Sequence, residues 1–472
     1  MEPSRHRQLG QDPSTTATQY APTKVPLPDG AATGFTYTQV AAGGTHVLAI
    51  GSDQTVYSWG QNQYGQLGDG SRQDRSKPQP VKGPDGQPFK ATQVTAGFTD
   101  SAAIDLKGRV YVWGSETNDQ DTYSAPKLTP ALAKDPSGSD KGLKAVQVSA
   151  RYSFLMALDA DGNVYTWGYN NYGQFGNGQS TGKYSTVYAA DPAPVPDPTN
   201  ASKTFKARMI SVGELHALAI GQDGTAWAWG RNTSGQIGDG TLTDRSTPTQ
   251  VKNPADASQA FQAAQIIAGA TYSLAIDQSG TAWGWGENTF DQLGGNQGTS
   301  ELLVPSQVSP PAGQDNAGKG FAVARISAGS ACSMAIGQDG NLYSWGYNYR
   351  GQLGTGSNNS TKIITPTLVA LYPPPLITGV RFDQTAANSL QQNADGSVTL
   401  TTPAHNPGLS DVIVDWSLGP ANQTPTHLSY TFKGILPLTG NTGVLLLLAS
   451  GLLAAAGALA AGRHRHEFTS LE

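Results

Sequence analysis

The stretch "YSWGQNQYGQLGDG" runs from Tyr57 to Gly70. It joins a Trp-Gly pair, a lone Asn and a Gly-Gln-Leu-Gly, and nothing in it resembles a nucleophile, a metal ligand or a phosphate loop. It is written again as "YTWGYNNYGQFGNG" from Tyr165, "AWGRNTSGQIGDG" from Ala228, "GWGENTFDQLGGN" from Gly284 and "YSWGYNYRGQLGTG" from Tyr343. A worn copy, "YVWGSETND" from Tyr111, has lost its Gly-Gln-Leu-Gly. The tryptophans fall at Trp59, Trp113, Trp167, Trp229, Trp285 and Trp345, spaced by 54, 54, 62, 56 and 60 residues. So long and regular a period marks a repeat architecture.

Each copy has an upstream half: "QVAAGGTHVLAI", "QVTAGFTDSAAI", "QVSARYSFLMAL", "MISVGELHALAI", "QIIAGATYSLAI" and "RISAGSACSMAI". Each is a short apolar run, a small-residue bend and a second apolar run. A turn follows, often Asp-Gly as at Asp223-Gly224 and Asp339-Gly340, and then alternation resumes, as in Val56-Tyr57-Ser58-Trp59. This is the pattern of consecutive hairpins. The tryptophans bring large buried area that anchors one unit on the next. Leu67, Phe175, Ile237, Leu293 and Leu353 are placed to plug each loop back onto the core. The stretch is a folding device, and six copies of it predict an all-β radial array, a β-propeller, rather than a linear solenoid.

The pairing of Ala-Gly-x-x-His/Tyr-Ser/Ala-Leu-Ala-Ile with Trp-Gly-x-Asn-x-x-Gly-Gln-Leu-Gly resembles the regulator-of-chromosome-condensation repeat family, from about Phe35 to Pro375. The resemblance implies a propeller, typically of seven blades. Six full repeats are present, so six or seven blades are expected. Residues 1–34 contain "RQLGQDPSTTATQYAPTKVPLPDG", which reads as the downstream end of a further copy; the chain is expected to start inside a repeat, with residues 7–30 supplying part of a seventh blade or a closing strand. The propeller is assigned to 35–375.

The C-terminal region, 433–472, carries a different message. Leu436-Pro437-Leu438-Thr439-Gly440 is followed by an uncharged stretch, 443–461, long enough to span a bilayer as a hydrophobic helix, and then by Arg463 and Arg465. Basic residues stay cytoplasmic, which puts the large N-terminal part outside. The order of motif, span and charge resembles the cell-wall sorting signal of Gram-positive bacteria. That resemblance implies attack by a sortase thiol on the Thr439 carbonyl and transfer to peptidoglycan, leaving a wall-anchored, secreted surface protein. A plain transmembrane anchor is the alternative. No apolar signal peptide opens the chain, and a truncated N-terminus is the expected reason. Between propeller and anchor, 376–432 has strand-like runs split by turns and resembles the latter half of an immunoglobulin-like fold shared by plexins and transcription factors. A small β-sandwich-like module acting as a spacer is expected.

Composition narrows the chemistry. The chain has 472 residues, a formal charge of −5 and only 14% charged residues, so no basic stripe for nucleic acid is present. The single cysteine, Cys332, cannot form an internal disulfide and reads as a buried, inert thiol. His46 and His216 share a repeat position with Tyr272, which points to packing and hydrogen bonding rather than catalysis. Asp53, Asp105, Asp223 and Asp339 sit at turns, which accounts for them without calcium. No hydrolase, zincin or P-loop motif occurs. No enzyme, cofactor or metal is expected.

What remains is binding by loops that vary on a constant frame. Candidate loop residues are Tyr64, Tyr169, Tyr172, Arg231, Phe290, Tyr347 and Tyr349. The expected function is adhesion or interaction with an extracellular protein or glycan. The alternatives are guanine-nucleotide exchange on a small GTPase, as the family's best-known member performs on Ran, and a spacer without a ligand.

Overall fold

The computed structural model describes residues 7–10, 20–115, 126–182, 188–295, 298–313, 318, 320–356 and 361–369, and with short interruptions 376–432. Six four-stranded antiparallel sheets follow one another along the chain, each a simple meander from an inner to an outer strand. Blade one comprises Tyr37–Ala42, His46–Gly51, Val56–Gly60 and Arg75–Pro80; blade two Ala91–Ala96, Asp100–Asp105, Val110–Gly114 and Lys127–Leu132. Blade three comprises Gln147–Arg151, Phe154–Leu158, Val164–Tyr169 and Tyr188–Pro194; blade four Ala207–Val212, His216–Gly221, Ala226–Gly230 and Arg245–Gln250. Blade five comprises Ala263–Ala268, Tyr272–Asp277, Ala282–Glu287 and Glu301–Gln307; blade six Val323–Ala328, Cys332–Gly337, Leu342–Tyr347 and Lys362–Leu368. The fold is a six-bladed, all-β propeller.

The second-to-third strand turns form where the Asp residues predict them. Asp53 accepts the Thr55 N–H at 3.0 Å and the Tyr57 hydroxyl at 3.0 Å, closing the turn onto its own strand. The apolar second strands are buried on both faces because each sheet is covered by its neighbours. The cores therefore lie between blades. Leu218, Ile220 and Ala228 of blade four meet Ile266, Ala268 and Trp285 of blade five. Comparable clusters join blades one and two, two and three, three and four, and five and six.

The repeated tryptophans are buried at these junctions, and their indole N–H groups cannot be left without a partner there. Trp113 donates to the Gln66 carbonyl at 2.9 Å, Trp229 to Gln174 at 2.7 Å, Trp285 to Gln236 at 3.0 Å and Trp345 to Gln292 at 2.9 Å. Each acceptor is the loop glutamine of the preceding blade, in Gly-Gln-Leu-Gly, Gly-Gln-Phe-Gly, Gly-Gln-Ile-Gly and, in blade five, Asp-Gln-Leu-Gly. Trp59 uses Gln8 in the same way, at 2.9 Å. The "RQLG" near the N-terminus is thus a true downstream loop. The Gly356 N–H donates to the Tyr20 carbonyl at 2.8 Å, the contact that Gly240 makes to Leu303 at 2.9 Å between ordinary neighbours. Residues from Tyr20 to Val25 hold an outer-strand place, and the N-terminal segment clasps blade six to blade one.

Beyond Val369 the chain forms a second compact unit. Its long strand Gly408–Leu418 pairs antiparallel with Leu376–Phe382 on one side and Thr426–Phe432 on the other. Arg381 grips Asp415 through two hydrogen bonds, at 2.9 and 3.1 Å. Asn388–Gln392 and Val398–Thr401 form a hairpin. Among the described residues no helix is long and apolar enough to cross a membrane. The motif at Leu436–Gly440 and the span 443–461 lie outside the described residues.

Candidate binding face

In blades one, three, four, five and six the loop after the Trp-Gly is built around one asparagine. Asn62 accepts the Leu67 N–H at 2.9 Å and donates to Asp69 at 3.1 Å, while Asp69 pairs with Arg75 at 2.7 Å. Blade four repeats the arrangement with Asn232, Ile237, Asp239 and Arg245. Leu67, Ile237, Leu293 and Leu353 are fully buried beneath their loops, and Phe175 is partly so. The loop glutamine has a second task. Its side-chain oxygen accepts the N–H two residues earlier: Tyr64, Tyr172, Ser234, Phe290 and Arg350, at 2.7 to 3.0 Å. A constant frame therefore fixes the backbone of a residue that varies from blade to blade.

Most of the sequence candidates meet in pairs across adjacent blades. The Arg231 guanidinium lies 5.3 Å from the Tyr172 ring, within cation–π range. Phe290 and Tyr347 are 4.7 Å apart, and Tyr347 stacks on Tyr349 at 6.4 Å with an interplanar angle of 19°. Tyr349 is the most open of them, at 58% exposure. Tyr64 is half-buried on its own loop. Tyr169 is not presented for binding: it is buried and packs edge-on to Tyr188 at 5.4 Å.

Four further residues gather on the same face, at the mouth of the central channel. The bend between inner and second strands sits beside the loop because His46 pairs with Gly60. In blades four and five this bend requires glycine: a Cβ on Gly213 or Gly269 would collide with the His216 or Tyr272 ring folded over it. Blade three has Arg151 there. Its bend takes another path, with Tyr152 and Ser153 at φ +48° and +56°, a conformation costly for residues with a side chain. The Arg151 guanidinium reaches across the channel to the Ser330 hydroxyl of blade six, at 3.3 Å. Exposed Phe98 packs on Tyr152 with centroids 5.8 Å apart, and Glu214 of blade four also lines the channel. The channel, about 430 Å³, is otherwise lined largely by small and apolar residues of the inner strands. The sequence held a signal for this: "QVSARYS" has Arg where the five other copies have Gly.

The buried polar groups below the mouth are joints between blades. His46 and His216 reach Ser101 and Ser273 of the next blade at 2.8 and 3.1 Å, and the Tyr272 hydroxyl meets that of Ser333 at 3.1 Å. Burial lowers both histidines to about 3, so they stand neutral in the fold. Asp100 takes the same position in blade two, where the next blade offers Leu155 instead of a serine. Its carboxylate oxygens lack a well-formed hydrogen bond, and burial pushes it up to about 6, opposed in part by the Ser153 N–H. Cys332, expected to be buried, is half-buried. Among the described residues no three His, Cys, Asp or Glu side chains come together to hold a metal ion.

The RCC1-like domain model matches residues 4–387. The chain belongs to this family. The RCC1-like chain is 29% identical over 336 residues to the ultraviolet-B receptor UVR8 of Arabidopsis thaliana, covering 70% of each. It is 26% identical over 358 residues to the human E3 ubiquitin-protein ligase HERC2, which takes in 74% of this chain but 7% of the ligase. Among solved structures, Prp20p of Saccharomyces cerevisiae superposes with a TM-score of 0.57 at 24% identity, over 71% of this chain and 76% of that one. Human WBSCR16 gives 0.59 at 22%, over 73% and 84%. At such identities the likeness speaks for the fold alone.

Proposed function

We propose that this RCC1-like propeller is a non-catalytic binding module that takes an extracellular protein or glycan on its loop face. One observation carries the reading. Aromatic and arginine side chains from adjacent blades, Tyr172 with Arg231 and Phe290 with Tyr347 and Tyr349, are set on a hydrogen-bonded frame around a channel mouth that holds Arg151. Rigid aromatic and arginine groups of this kind dominate binding energetics at interfaces. The surface setting is proposed from the Leu436–Gly440 motif with its span and basic tail: sortase would join Thr439 to peptidoglycan, and 443–461 would hold the precursor in the membrane until then. The strands of 376–432 would serve as the spacer between wall and propeller.

The test is an array of matrix proteins and glycans probed with the protein and with an Arg151→Gly, Arg231→Ala, Tyr349→Ala variant. Binding that the variant loses, with its unfolding midpoint unchanged, is the expected result. Silence on a folded sample leaves the spacer reading in its place. A second reading, guanine-nucleotide exchange, has one support: the likeness to yeast Prp20p, whose structure was described together with its binding to Gsp1p and histones. Accelerated nucleotide release from a small GTPase would favour it. For the anchor, mass spectrometry of muramidase-digested wall from a sortase-bearing host should find Thr439 on a cross-bridge amine.

A further inference from the structure

The bend that carries Arg151 has glycine in the five other copies, at Gly43, Gly97, Gly213, Gly269 and Gly329. None of those five bends puts a residue with a side chain at positive φ. Blade three does so twice in succession, at Tyr152 and Ser153. Backbone strain of this kind persists where the group it presents has a use. The group presented here is a guanidinium, a planar fork of N–H donors that matches a carboxylate. Arg75, Arg109, Arg245 and Arg381 each pair with an aspartate. Arg151 differs from them: among the described residues it makes one hydrogen bond, to the neutral Ser330 hydroxyl at 3.3 Å, and no ion pair. Its charge is felt inside the channel. Burial and then this charge lower His216 of blade four, and at Cys332 of blade six the charge opposes the rise that burial causes.

The surroundings of the guanidinium narrow what it can hold. A volume of about 430 Å³ falls within the range of about 300–1,000 Å³ in which small molecules bind. Such sites are mostly apolar with a few placed polar groups, and Val212, Ile267 and Met334 are part of this wall. Next to Arg151 the wall is aromatic. Phe98 lies over Gly44, where a Cβ would collide with its ring, and packs on Tyr152. Glu214 is the other charged residue of the lining. One positive and one negative group together leave no excess charge for a dianion, and an apolar wall makes a second unpaired negative charge costly. A ligand with a single carboxylate and an apolar body satisfies both the fork and the wall.

We propose that the channel mouth is a binding site for a small monocarboxylate with an apolar body. Its carboxylate takes a charge-assisted, two-pronged pair of hydrogen bonds from Arg151, and its body lies against Phe98 and Tyr152. This ligand is separate from the macromolecule proposed for the loop face. The site draws on the bend and the channel, and not on the aromatic pairs of the loops.

The probes are benzoate and phenylacetate, titrated against the full chain by calorimetry and saturation-transfer NMR, with benzamide and inorganic phosphate as controls. Saturable binding of the two acids and none of the controls is expected. Arg151→Gly, which returns the bend to the residue of the other copies, should weaken benzoate at least about tenfold. Arg151→Lys keeps the charge without the fork and should fall between that variant and the parent. Glu214→Gln should tighten benzoate and admit phosphate. Urea unfolding of each variant separates loss of the site from loss of the fold. Three results would overturn the proposal: neither acid binds the folded protein, benzamide binds as well as benzoate, or Arg151→Gly keeps the parent's affinity. Binding of N-acetylglutamate amide in preference to benzoate would overturn it too, and would hand Arg151 to an acidic side chain of a protein partner. The loop face is scored separately, by an array with Arg231→Ala and Tyr349→Ala in a chain that keeps Arg151, so either reading can fail while the other stands.

Discussion

The junction of blades four and five and the seam between blades six and one are made from the same repeat, and they differ in everything except sequence pattern. At the first, Ile266, Ala268 and Trp285 close against Leu218, Ile220 and Ala228, with the Trp285 N–H on the Gln236 carbonyl. At the second, Trp59 still has Gln8, and among the described residues the apolar cluster around it holds Val47 and Ala49 with Val25 and Tyr37 beside it. Equal residue types therefore carry unequal stability. Burial belongs to the pair of surfaces and not to the residue, since the hydrophobic gain is proportional to area removed from water.

The largest expected effect breaks the comparison most directly. Trp285→Ala should cost about 3–5 kcal/mol in urea unfolding, the range for truncating a fully buried aromatic. Trp59→Ala should cost clearly less, because an N-terminal segment rather than a blade covers it. Equal costs for the two would mean that the clasp packs as well as a blade does. Next come the matched aliphatics. Ile266→Ala should lose about 2–5 kcal/mol, and Ile336→Ala less than about 1 kcal/mol. A large loss at Ile336 would show that the seam is filled in solution.

The last test is in acid, and it sharpens the account of the polar joints. His46 and His216 are lowered to about 3 in the fold against 6.5 in the unfolded chain. The unfolded state therefore binds more protons between these values, and stability falls as pH drops below 6.5, by up to about 1.4 kcal/mol per pH unit for each histidine. Asp100, raised to about 6 from 3.8, works the other way: its ionisation weakens the fold above pH 6, and that loss is recovered as pH falls toward 4. Asp100→Asn should therefore raise stability at pH 7.5 and steepen the acid loss between pH 6 and 4, measured by denaturation at fixed pH values. A flat profile from pH 7 to 4.5 in the parent would remove the buried-histidine joints from the account.

Much of the propeller was legible in the chain. The period of 54 to 62 residues placed the sheets, Trp-Gly placed the junctions, and "RQLG" near the N-terminus declared itself a downstream loop by its likeness to "GQLG". The aromatic and arginine candidates were found by asking which loop residues vary. Two readings failed for a common reason. Tyr169 and Cys332 were judged by their local pattern, yet the exposure of each depends on its surroundings: Tyr188 covers the first, and the second lines the channel.

What the sequence alone determined was the repeating unit, because strand alternation, Asp-centred turns and the asparagine-built loop are local and act within about twenty residues. What only the tertiary structure decided was how the units meet. The hydrogen bond from Arg151 to Ser330 joins residues 179 positions apart, across a channel that exists only when the blades are arrayed around it. The open lips at Val40 and Ile336 are likewise invisible in a single repeat, since the residues there have the same apolar character as their buried equivalents. A side chain's chemistry is written in the chain; whether water reaches it is settled by the surface that packs against it.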